Sequence, residues 1–363
     1  MVRIFFFVIC LLVSFGEASK DLCVRQFAPG RCLLDTDQCL VTKLYAEKYE
    51  YFRASGNILY AKSFDSIGNW FLVLPKLFEI AIMLDLAIVV DSAKFLAFDI
   101  VVEPNAFNYQ VGVDVSVKMN SSEFKRIDSA HATIVLSHTH WEALPSTYRA
   151  TFHPSKEGSQ LVFEVHETFD LLKQLTGSVH PHSCMFSAMF RWTVYFDNVY
   201  KQELFKNPIF DQRIYSVLHI STTEGENHRY DASAHSSYII DDSRVSNFTM
   251  LCHHFQSVLG TVTKESQVLY IAGNSKRAKS RCKAALPQVH YAHLGLDRDS
   301  FHTKESPLPA IVSFLDYRFA LNAKYVIHSG SSFVSTIISI RELKCESHPV
   351  YPYSTHGDKI RYL

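Results

Sequence analysis

From Ile214 onward the chain alternates short apolar runs with segments of helical period, four times in succession. Ile214–Ile220 precedes Val245–Leu259, and Val268–Ala272 precedes Lys276–Ala285. Gln288–His293 then precedes Ala310–Ala323, and Tyr325–Ile327 precedes Phe333–Arg341. Strands this short and this uniformly apolar are buried on both faces, and successive parallel strands need a helical crossover between them. The pattern therefore predicts a doubly wound, Rossmann-like half. The N-terminal half carries one similar unit. Asn57–Ala61 reads as a strand, Ser66-Ile67-Gly68-Asn69 as a turn, Trp70–Leu84 as a helix and Leu86–Val90 as a buried strand. Between the halves, Thr133–Leu136 reads as a strand, Glu167–Leu175 as a helix and Cys184–Phe205 as one long helix. A split near residue 210 gives two Rossmann-like α/β domains facing a cleft, residues 56–209 and 210–345, followed by a tail of residues 346–363. No repeat of solenoid or propeller length is present.

The 363 residues hold two domains comfortably, and 47% hydrophobic with 20% charged residues is ordinary for a packed protein. Lys+Arg and Asp+Glu are 36 each. Zero net charge argues against a nucleic-acid partner or an anionic lipid surface. Residues 1–18 have one Arg, an apolar run from Ile4 to Phe15, and small residues Gly16 and Ala18 at cleavage spacing. This is the pattern of a secretory signal peptide, with an uncleaved signal anchor as the alternative. The mature chain is then expected to begin near Ser19, with a cysteine-containing leader over residues 19–55. The apolar stretch Trp70–Val90 is interrupted by Lys76, Glu79 and Asp85. It reads as buried helix and strand, so no membrane span is expected after signal cleavage. Sequons at Asn120 and Asn247 agree with the secretory route. Loss of Cys10 with the leader leaves seven of the eight cysteines. In an oxidising lumen several are expected to be bridged, with at least one left over. Cys23, Cys32 and Cys39 suggest a disulfide-pinned leader.

Ser329-Gly330-Ser331-Ser332 lies between a predicted strand and a predicted helix. Gly330 permits a tight turn, and the serines with the helix's first N–H groups offer donors to an anion. The simpler reading of the same residues is a helix cap. Asp316-Tyr317-Arg318-Phe319-Ala320-Leu321, Ala323-Lys324-Tyr325-Val326-Ile327 and Ser331-Ser332-Phe333 together resemble the donor-site end of GT-B fucosyltransferases, a group that includes the protein O-fucosyltransferases and the α1,6- and α1,2-fucosyltransferases. Leu269–Ser275 with Lys276–Ala285 is similar to a further strand and helix of that group, with Asn274 where an Asp is commoner. Ser66-Ile67-Gly68-Asn69 is similar to its N-terminal Gly-x-Gly-Asn-Gln opening. The resemblance implies a two-domain GT-B fold, GDP-fucose as donor, inverting transfer to a glycan or protein acceptor, and no metal. It implies a nucleotide contact for Asp316 and diphosphate contacts for Ser331 and Ser332, with Phe333 completing that motif. It places the acceptor near Gly68 and Asn69.

One departure bears on chemistry. The family's first donor-domain strand ends His-x-Arg, and the Arg pairs with the diphosphate. Here the strand ends His219-Ile220-Ser221. Strand alternation puts His219 and Ser221 on one face, which gives His219 a cleft-wall or phosphate role. A guanidinium offers a charged bidentate fork, whereas Ser offers one neutral donor. Loss of one such stabiliser costs on the order of 10²–10³ in rate. Arg229, downstream of the strand, is the expected substitute, ahead of Arg213, which precedes it. Glu224 and Glu226 lie close by, but no general base is assigned. Two other readings follow. Without its Arg, the fold could serve as a binding protein. Alternatively, His138-Thr139-His140-Trp141-Glu142 after a strand looks like the zinc motif of metallo-β-lactamase-type hydrolases, although Ala143 stands where that motif continues with Asp-His.

Overall fold

The structure, a computed structural model, describes residues 39–62, 67–91, 98–112, 115, 119, 121–128, 133–146, 149, 181–206, 215–220, 252–253, 257, 268–273, 276–286, 289–291, 308–323, 325–328, 337, 350–356 and 359–362. Helix α1 (Leu40–Ala54) opens the described chain, followed by β1 (Ile58–Lys62), α2 (Ile67–Met83) and β2 (Ala87–Asp91). Strands β1 and β2 run parallel, with Ile58 opposite Ala87 and Lys62 opposite Asp91, as the βαβ reading requires. Then come α3 (Phe98–Val101), β3 (Val102–Pro104), β4 (Phe124–Asp128), β5 (Thr133–Ser137), α4 (His138–Ala143), α5 (Pro181–Met189), β6 (Phe190–Trp192) and α6 (Val194–Phe205). The N-terminal sheet has the order β2-β1-β5-β4, with β5 antiparallel to both β1 and β4.

The C-terminal half holds β7 (Tyr215–Ile220), β8 (Val268–Gly273), α7 (Lys276–Ala285), β9 (Val289–His290), α8 (Leu308–Asn322), β10 (Tyr325–His328), β11 (Val350–His356) and β12 (Lys359–Tyr362). Its six-stranded sheet has the order β12-β11-β10-β7-β8-β9. All neighbours pair in parallel except the β11–β12 hairpin at the edge. From β7 the chain therefore builds outward to β8 and β9 on one side, then returns to β10 and β11 on the other. This is the doubly wound strand order.

Three sequence expectations are corrected. Residues 40–54 are not leader but a core helix. Val41, Tyr45, Tyr49 and Phe52 recur at helical spacing and are buried. Cys39, which starts the helix, is bonded to Cys184 in α5, far along the chain. The expected long helix Cys184–Phe205 is broken. Phe190–Trp192 leave as a strand paired with Val102–Pro104, and Thr193 caps α6 by accepting from the Phe196 N–H. The tail is not an appendage, because β11 and β12 extend the C-terminal sheet. The expected helix Glu167–Leu175 lies outside the described residues.

A single core joins the two halves. Phe98, Phe186, Trp192 and Phe196 from the N-terminal side and Phe314, Tyr317 and Phe319 from α8 belong to one buried cluster. Phe98 and Phe314 have ring centroids 6.1 Å apart, and Tyr200 meets Phe319 at 5.0 Å. A second cluster on the other face of the C-terminal sheet contains Leu218, Ile220, Leu269 and Ile271. It also holds the Cys252–Cys282 disulfide, which ties the segment at Cys252 to α7.

Candidate functional site

Strand β7 meets β10 where the winding reverses, and open α/β sheets bind ligands at the carboxyl ends of the strands flanking that point. The last residues there are His219 and Ile220 of β7, Gly273 of β8 and His328 of β10. His219 lies opposite His328 in the parallel register, and Ile220 lies opposite Gly273. Both histidines are buried, at 5% and 8% exposure. Burial pushes the His219 imidazole down to about 3, with His328 and Lys279 adding to the shift. Burial pushes His328 down to about 4. Both are neutral near pH 7. They can offer neutral donors or acceptors at the switch point but no positive charge.

Behind these strand ends lies a buried polar cluster. The Asp316 carboxylate, on α8, accepts from the Tyr270 hydroxyl at 2.7 Å, the Gly273 N–H at 3.0 Å and the Lys279 ammonium at 2.6 Å. Asp316 is 3% exposed, so these internal donors occupy it. Gly273 has φ +142°, which an L side chain rarely adopts, and a Cβ there would sit 2.1 Å from the Ile220 carbonyl oxygen. The end of β8 is thus pressed against the end of β7. Ser221 follows Ile220 and Ser329 follows His328 in the chain, so the segments carrying the remaining candidate residues depart from this point.

Of those residues, Ser221, Arg229, Ser331, Ser332 and Phe333 lie outside the described set, as do the sequons at Asn120 and Asn247. Gly68 and Asn69 fall in the first turn of α2, not in a turn before it. They follow the carboxyl end of β1, where Lys62 pairs with Asp91 at 3.2 Å and the Tyr60 hydroxyl donates to the same carboxylate. His138 and His140 begin α4. Two residues apart on a helix, their side chains point to different sides and do not converge on one ion. Ser137 accepts from the His140 N–H, and its hydroxyl lies 2.6 Å from His140 Nδ1. Among the described residues, no group of three or more His, Cys, Asp or Glu is placed to hold a metal ion.

Two residues escaped the sequence reading although a signal existed. Helix α8 is apolar nearly all round, so each charge within it must find a partner. Asp316 finds Lys279. Arg318 finds Asp197 on α6 at 2.5 Å and stacks over the Tyr200 ring at 4.0 Å. Lys279 sits three residues before buried Cys282 on an otherwise basic helix, which marks it as facing inward.

No protein-family profile matches the sequence, and no curated protein matches it. Solved structures do match in three dimensions. A mutant of FUT1 from Arabidopsis thaliana in complex with GDP superposes with a TM-score of 0.54 at 11% identity, covering 94% of this chain and 84% of that one. Fucosyltransferase NodZ from Bradyrhizobium superposes with a TM-score of 0.50 at 11% identity, covering 84% of this chain and 97% of that one. The likeness is one of fold: this chain has the GT-B-like α/β fold seen in these fucosyltransferases.

Proposed function

We propose that the chain binds GDP-fucose at the carboxyl ends of β7, β8 and β10. In this reading it transfers fucose, with inversion, to a glycan or protein acceptor held near Gly68 and Asn69. The observation that carries the reading is the strand order β9-β8-β7-β10-β11, with His219 and His328 side by side at its switch point. The fold is shared with a fucosyltransferase in complex with GDP. In the transfer, an acceptor hydroxyl oxygen bonds to the anomeric carbon and the bond from that carbon to the diphosphate oxygen breaks. GDP leaves with the electron pair, and the acceptor proton passes to a base. Negative charge grows on the phosphate oxygens, which calls for fixed donors and a cation. Neutral His219 supplies no charge, and Lys279 is already paired with Asp316. Arg229 is therefore assigned the leaving-group role, Ser331 and Ser332 the diphosphate, and Phe333 the end of the same motif. No metal takes part in this reading.

A second reading is a binding protein with the same site and no transfer. It is favoured by Ser221 in place of the family's Arg. Calorimetry with GDP, with and without chelator, tests the site: chelator-independent binding is expected, weakened at least about tenfold in Ser332→Asp because a carboxylate would face the diphosphate. Transfer from GDP-fucose then separates the two readings. Arg229→Ala abolishes transfer if Arg229 is the cation. If the chain is a binding protein, the wild type is inactive and Ser221→Arg creates turnover.

The compartment proposed is the secretory pathway, with a mature N-terminus near Ser19 and glycan on Asn120 or Asn247. The Cys39–Cys184 and Cys252–Cys282 disulfides support it, since such bonds persist in oxidising compartments. Among the described residues no helix is long and apolar enough to cross a membrane.

A further inference from the structure

The resemblance gives Asp316 a nucleotide contact, but its carboxylate is engaged within the protein. We infer that Asp316 and Lys279 are positioning residues, which act on the nucleotide site through the backbone of Gly273 rather than by touching the ligand. The inference rests on the functional reading above.

Four observations carry it. Asp316 Oδ2 accepts from both the Gly273 N–H and the Lys279 ammonium, so one oxygen couples the end of β8 to α7. Oδ1 accepts from Tyr270, three residues earlier on the same strand, which fixes the carboxylate's rotation. Gly273 abuts the Ile220 carbonyl so closely that no side chain fits between them. Ile220 and Gly273 are the last residues of two neighbouring parallel strands at the switch point. The carboxylate therefore holds Gly273 against Ile220 and sets where the chain leaves both strands toward Ser221 and Asn274.

Lys279 has a second task. A carboxylate this deeply buried beside a diphosphate site would repel the ligand and be costly to keep charged. The ammonium at 2.6 Å neutralises it in place. Removing the ammonium takes one of the two donors off Oδ2 and leaves the buried carboxylate without its counter-ion, which loosens the contact to Gly273.

The test is calorimetric titration of GDP into folded wild type, Lys279→Met and Lys279→Arg, with hydrogen exchange on the same proteins. Lys279→Met is expected to weaken GDP at least tenfold. Exchange should rise in peptides covering residues 215–229 and 268–275 while residues 58–91 keep wild-type protection. Lys279→Arg is expected to restore affinity to within threefold. Should Lys279→Met fail to fold, Asp316→Asn takes its place: it keeps a carbonyl acceptor, removes the charge, and is expected to show the same loss. Wild-type affinity in a folded Lys279→Met or Asp316→Asn overturns this inference alone. Absence of GDP binding by the wild type overturns the functional reading and this inference with it.

Discussion

His219 and His328 occupy adjacent positions on β7 and β10, and burial holds both neutral in the folded protein until the pH approaches about 4, where His328 is half protonated. In the unfolded chain a histidine takes its proton below about 6.5. Between those limits the unfolded state binds more protons, so stability falls as pH falls, by up to about 1.4 kcal/mol per pH unit for each histidine. Above about pH 7 neither imidazole contributes a slope. Urea unfolding of His219→Asn and His328→Asn between pH 5 and 6.5 is expected to show a shallower pH dependence than wild type. Equal slopes would mean that these imidazoles are solvated in the folded protein. The same neutrality shapes the site. Among the described residues at the strand ends, charge appears as the closed Lys279–Asp316 pair, so a diphosphate must draw its cation from the segments that follow.

Element by element, α1 does what neither half of the sheet can do for itself. Strand β2 ends its sheet, and along its outer edge the chain supplies other partners: the Val90 N–H donates to the Tyr109 carbonyl, and α1 serves the stretch before it. The Tyr45 hydroxyl donates to the Leu86 carbonyl and accepts from the Ile88 N–H. The Tyr49 hydroxyl lies within hydrogen-bond distance of the Ile88 carbonyl at 2.8 Å and the Asn108 carbonyl at 2.9 Å. Burial pushes both phenols well above their usual range, so they remain protonated donors. Tyr49→Phe removes the hydroxyl from the buried Ile88 carbonyl, while Arg53 still donates to that of Asn108. It is expected to cost about 1–3 kcal/mol of stability, read as a lower urea midpoint with unchanged far-UV dichroism. A midpoint equal to wild type would mean that water takes over the Ile88 carbonyl. Strands β7 to β10 were legible in sequence because continuous apolar runs such as Val268–Ala272 have few alternatives. Helix α1 was not, because its buried face sets Tyr45 and Tyr49 between Val41 and Phe52 within Lys- and Glu-rich sequence, so mean apolarity hides it. The break at Phe190–Trp192 was hidden because Cys184–Phe205 is apolar on both sides of it, and only the pairing with Val102–Pro104 reveals it. The β11–β12 hairpin had a signal in Gly357-Asp358 between two β-rich runs. Of the candidate site, the strand ends and His219 were legible, whereas the partner of Asp316 is a long-range contact that no local pattern encodes.

Across the whole molecule, the aromatic cluster from Phe98 to Phe319 and the Arg318–Asp197 pair bind the N-terminal elements to α8, the helix that also carries Asp316. The switch point is thus backed by the largest buried cluster among the described residues, which holds its strand ends from behind. The central claim is that this switch point receives a nucleoside diphosphate sugar. Hydrogen exchange of the wild-type chain with and without saturating GDP tests it most directly. The account predicts added protection in peptides ending β7, β8 and β10, namely residues 215–229, 268–275 and 325–333, with little change at His138–Ala143. Protection confined to the N-terminal sheet or to α4, or no protection anywhere, would contradict it.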